Sequence, residues 1–79
     1  MKLPRDLHGS ELVKHLVRHW AYKVESQRGS HIILKTESPI AHRMPIPAHR
    51  PLSAGTLRAI LAEVCEVKKT TRDQLLQDL

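Results

Sequence analysis

The chain has 79 residues, a formal net charge of +5, one cysteine and no phenylalanine. That is enough for one small domain that buries about 60% of the surface its unfolded chain exposes, around an aliphatic core, since Trp20 and Tyr22 are the only Phe/Trp/Tyr residues. The lone Cys65 excludes an internal disulfide framework, and neither a membrane-length apolar run nor a signal-peptide core occurs, so a cytoplasmic protein without membrane contact is expected.

The charge is uneven. Residues 1–58 carry ten Lys/Arg against four Asp/Glu, and residues 59–79 carry three against four. So basic an N-terminal three-quarters points to a polyanion, nucleic acid first. Charge alone leaves a basic protein with no such partner equally open.

Residues 1–9, with Pro4 and Gly9, read as a flexible lead-in without an assigned role. Ser10 is a suitable N-cap with Glu11 in the first turn, and Leu12, Val13, Leu16, Val17 and Trp20 form one apolar stripe, so a helix is expected from Glu11 to Arg18. His15 and His19 lie four apart on its polar side. The zinc-protease glutamate that would follow the first histidine is Leu16 here, so a solvated pair with His15 near Glu11 is expected. Trp20, Tyr22 and Val24 alternate with Ala21, Lys23 and Glu25, the pattern of a half-buried strand.

Gln27-Arg28-Gly29 can close a hairpin, because glycine takes φ > 0 at no steric cost. A second strand then runs from Ser30 to Thr36. Alternation sends Ser30, Ile32 and Leu34 to the core and His31, Ile33 and Lys35 to the outer face. Glu37-Ser38-Pro39 turns the chain into a third strand, Ile40 to Ile46, which Pro45 either confines to an edge or ends. The proline-stiffened stretch from Pro45 to Leu52 delivers His49 and Arg50 to a second helix capped by Ser53, whose stripe is Leu57, Ile60, Leu61 and Val64. Gly55 and Thr56 in its first turn, with Arg50 upstream, could hold a phosphate on free backbone N–H groups; ordinary capping is the alternative. Thr71-Arg72-Asp73-Gln74 opens a short C-terminal helix. Cys65, beside Val64, is read as packed against the core.

The expected fold class is therefore α+β. A small three-stranded antiparallel sheet carries helices on one face, leaving Lys23, Glu25, His31, Ile33, Lys35 and Arg43 on the open one.

Three blocks in order carry a family resemblance: Gly29-Ser30-His31, then Pro45-Ile46-Pro47-Ala48-His49, then Gly55-Thr56-Leu57-Arg58-Ala59-Ile60-Leu61. Residues 10–67 resemble the HicA toxins, with 68–79 a helical tail outside the likeness. The resemblance implies an α-β-β-β-α fold like that of double-stranded-RNA-binding domains. It also implies a type II toxin that cuts messenger RNA and halts growth until a HicB-type antitoxin blocks it. The family's catalytic histidine falls on His31. Two departures stand out. Leu34 replaces the aromatic often found three residues after that histidine, and no glycine ends the helices at Arg18-His19 or Cys65-Glu66-Val67.

RNA cleavage of this kind needs a base for the 2′-OH, an acid for the departing 5′-oxygen and cations for the transition state. His31 is the candidate for proton transfer. Arg28, Gly29, Ser30, Lys35, Arg43, Arg50, Gly55 and Thr56 are candidates for RNA contact. His49 is a weaker candidate for either role, with a structural histidine bonding the loop backbone as the alternative, and His42 is read as structural. No zinc set, P-loop or Ser-His-Asp pattern occurs, so neither metal nor cofactor is expected. A non-catalytic RNA-binding module and a degenerate toxin that only binds its antitoxin remain as alternatives. Whether the chain forms a homo-oligomer stays open.

Overall fold

The computed structural model describes residues 6–48, 50–77 and 79. The elements are α1 (Gly9–His19), β1 (Lys23–Arg28), β2 (His31–Thr36), β3 (His42–Pro47), α2 (Ala54–Lys68) and α3 (Arg72–Leu75). The strands form one antiparallel sheet in the order β1-β2-β3, and the helices cover one face of it, giving the expected α+β architecture. No helix among the described residues is long and apolar enough to cross a membrane.

The core forms where the periodicities of helix and strand meet. Leu12, Val13 and Leu16 of α1, Leu34 of β2, Met44 and Ile46 of β3, and Leu57, Ile60, Leu61 and Val64 of α2 are all buried in one cluster. Each fully buried leucine or isoleucine contributes about 1.5–3 kcal/mol. The core reaches past both ends of the 10–67 segment: Leu7 joins it from one side, Leu75 and Leu76 from the other. Residues 7–9, read as part of a loose lead-in, are thus built into the fold.

Several local expectations shift. The cap of α1 is His8 instead of Ser10, and its N–H donates to the Glu11 carboxylate at 3.1 Å. Val17 and Val24 are exposed, Val24 by 54%. The strand begins only at Lys23, after Ala21 in the left-handed region at φ 59°. Val24 pairs with Leu34 and so lies on the core side, but on an edge strand, ahead of a bulge between Val24 and Ser26. Ile40, outside β3, is also exposed.

His15 is not solvated. It is 6% exposed, and its Nε2–H donates to the Leu75 carbonyl at 2.5 Å, which pins α3 to α1. The missing helix-ending glycines are explained by backbone conformation: Ala21 just past α1, and Lys69 at the end of α2 with φ 54°, take the left-handed turn themselves. Polar bonds close the far end of the fold. The Lys68 Nζ donates to Thr36 Oγ1 at 2.8 Å and lies over the Tyr22 ring. His42 accepts from the Tyr22 hydroxyl at 3.0 Å and donates to Glu63 at 2.8 Å, the structural role expected of it.

Candidate active site and nucleic-acid face

The hairpin between β1 and β2 has two central residues, Gly29 and Ser30, with Arg28 paired to His31. Gly29 has φ 57°; positive φ at the first central position is the pattern of a type II′ turn, whose twist suits the flanking strands. The turn fixes the register, and the register fixes the faces. Leu34 and Thr36 are buried and Ile32 packs against the core, while His31 is exposed on the other side.

Cross-strand partners share a face, so the open face can be followed rung by rung. Arg28, His31 and Pro47 form the first rung, Ser26, Ile33 and Pro45 the second, and Lys23, Lys35 and Arg43 the third. The Arg43 guanidinium reaches across β2 to ion-pair with Glu25 at the bulge.

His31 opens into a shallow pocket of about 220 Å³ lined by Ser30, Pro47 and Arg50 besides itself. Backbone bonds bring Arg50 there. The Ala48 N–H donates to the Ser30 carbonyl at 2.7 Å, extending the β2–β3 ladder one step. Beyond it, His8 bridges to Pro51, and the Leu52 N–H donates to the Leu7 carbonyl at 2.7 Å. The start of α1 presses on the same place. A Cβ built on Gly9 would lie 1.6 Å from the Pro47 carbonyl oxygen, so only glycine fits there. Ala48 before Arg50 and Leu52 after it are thus each held by a backbone hydrogen bond. Among the described residues no hydrogen bond restrains the His31 side chain.

The other candidates lie elsewhere. Lys35 and Arg43 stand two rungs from His31. At the α2 N-terminus the Thr56 N–H donates to Ser53 Oγ at 3.2 Å, and that hydroxyl in turn donates to Thr56 Oγ1 at 3.0 Å. This is ordinary capping, and neither Gly55 nor Thr56 lines the His31 pocket. His49 lies outside the described residues. Cys65 is half-buried against the core, and burial pushes its thiol pKa up. The His15 and His19 rings lie tilted at 51° with centroids 5.1 Å apart, but among the described residues no group of three His, Cys, Asp or Glu could hold a metal ion. Pro47 and Gly9 were missed as site residues. No sequence signal marks Pro47 as the residue facing His31, because that follows from the β2–β3 register alone.

A rigid sheet presenting an unrestrained histidine between two arginines is the kind of surface that meets phosphodiesters. Residues 9–64 match the HicA toxins of bacterial toxin–antitoxin systems, and the chain belongs to that family. Its role is that of a toxin, and the family implies an antitoxin partner. Searches of curated proteins and of solved structures returned no match.

Proposed function

We propose that this toxin is an endoribonuclease that cuts messenger RNA with His31 as a proton-transfer group and without a metal ion, until a HicB-type antitoxin covers the open face. The observation that carries the reading is the placement of His31: exposed, on a rigid strand, beside Arg28 and in one pocket with Arg50. His31 takes the proton of a ribose 2′-OH. The 2′-oxygen forms its bond to the adjacent phosphorus, the bond from phosphorus to the 5′-oxygen breaks, and the departing oxygen takes a proton from solvent. The proton removed from the 2′-OH stays on the imidazole until turnover, and the product end is a 2′,3′-cyclic phosphate. Arg28 and Arg50 stabilise the charge that gathers on the phosphoryl oxygens. Ile33, half-buried one rung along, gives the antitoxin an apolar anchor on a charged face.

The test is His31→Ala. The side chain leaves no core cavity, so stability should change by no more than about 0.5 kcal/mol. Losing a proton-transfer group should slow cleavage by ~10²–10⁴, about 3–5 kcal/mol of barrier. Purified parent and variant are compared on a message in EDTA, with circular dichroism alongside. Equal cleavage by both, or activity lost only on chelation, refutes the mechanism. RNA retarded but never cut by either protein assigns the fold to binding alone.

A further inference from the structure

Three cations stand in line across the open face at the end of the sheet away from His31. Lys35 is the register partner of both Lys23 and Arg43. Like charges directly opposed across strands weaken a sheet. Glu25 relieves Arg43, but among the described residues Lys23 and Lys35 make no ion pair. These two lysines line a hollow of about 410 Å³ at the strand end, in which Glu37 is the one lining carboxylate. With Arg43 paired to Glu25, the row still presents two lysines without an ion pair among the described residues, a surface suited to an anion from outside.

The spacing says which anion. Same-face residues of a strand recur every ~6.6 Å, close to the phosphate repeat of an extended nucleic-acid strand. From His31 to Lys35 is two such steps, roughly 13 Å. We infer that the Lys23–Lys35–Arg43 row holds the RNA phosphate two nucleotides from the one at His31, so that a single strand lies along β2 with Ile33 under the nucleotide between. The inference rests on the reading that the scissile phosphate sits at His31. RNA is favoured over an acidic polypeptide because the row continues the His31 pocket along one strand and one face. Its charges sit at two rungs with an uncharged rung of Ser26, Ile33 and Pro45 between them, so the strand is gripped at its first and third phosphates and not at the second.

The experiment measures binding, so it does not depend on cleavage. His31→Ala protein is titrated by fluorescence anisotropy with 5′-phosphorylated oligouridylates of two to six nucleotides. Affinity should rise in a step, by roughly tenfold, when the oligomer first carries three phosphates. Adding Lys23→Gln and Lys35→Gln should remove that step and lower the salt slope by about one phosphate contact. The added substitutions should not lower the unfolding midpoint, because they relieve repulsion. A smooth rise with length that the two glutamines leave unchanged overturns the inference. So does a lowered midpoint, which makes the row structural, or loss of antitoxin capture with RNA binding intact, which gives the row to the protein partner. A step present in a protein whose His31-containing parent cuts no RNA sustains the row and sinks the catalytic reading instead.

Discussion

Gly9 and Gly55 both lie in the first turn of a helix, and on helix propensity alone replacing either with alanine should help, by up to about 1 kcal/mol. The structure separates them. At Gly55 a Cβ meets nothing within 4 Å, so Gly55→Ala should be neutral or stabilising. At Gly9 the same atom lies 1.6 Å from the Pro47 carbonyl oxygen and 2.7 Å from its carbon, where real contacts stay beyond 3.0 Å. Relief needs α1 and the end of β3 to part by more than an ångström. No side-chain rotation can supply that, because both partners are backbone and the next residue, Ala48, is bonded to Ser30. Overpacking of this kind costs typically 1–3 kcal/mol and sometimes more. Since the obstacle is backbone, the net loss for Gly9→Ala should be about 3 kcal/mol, a fall in Tm of at least about 10 °C for a domain of this size. Pro47 lines the His31 pocket, so any folded Gly9→Ala protein should also cut RNA poorly. Thermal unfolding followed at 222 nm for both variants decides the matter. A Gly9→Ala protein as stable as its parent refutes the close approach of α1 to β3, and a strongly destabilised Gly55→Ala refutes the open setting of the α2 N-terminus.

Replacing Ala21 or Lys69, each in the left-handed region, with glycine should raise stability by about 1 kcal/mol per site, measured by urea titration; loss of stability at both would contradict those backbone angles. Tyr22 is the only tyrosine, so its phenolate absorbance can be read without interference. Burial, reinforced by the nearby Glu63 carboxylate, pushes its pKa up to about 12. A folded-state pKa above the unfolded one means that this group's stabilisation is complete below pH 10 and is lost as the pH climbs from about 10 to about 12. Alkaline titration should therefore show late ionisation in the folded protein and ionisation near 10 in urea. Early ionisation in both would place the hydroxyl in water.

Much of this was legible in the residues because the physics involved is short-ranged. The alternation from Ser30 to Thr36 put His31 outside and Leu34 inside, and the φ > 0 at Gly29 set the hairpin. The leucine–isoleucine stripe after Ser53 marked α2, and Thr71 with Gln74 capped α3. Each depends on neighbours within about four positions, the reach of a helical turn or a hairpin. The expectations that moved concern residues far apart in the chain. His15 looked solvated because nothing near it says that the Leu75 carbonyl will come to rest on its ring. Val24 looked half-buried because alternation gives its face, the Leu34 side, but cannot show that on the edge strand it stays exposed. Gly9 looked like a loose lead-in until Pro47 closed against it. Arg50 reaches the histidine only because Ala48 pairs with Ser30 and Leu52 with Leu7. Local periodicity decides which way a side chain points. Only closure of the chain decides what it meets there, and in this toxin closure is what sets an arginine beside His31.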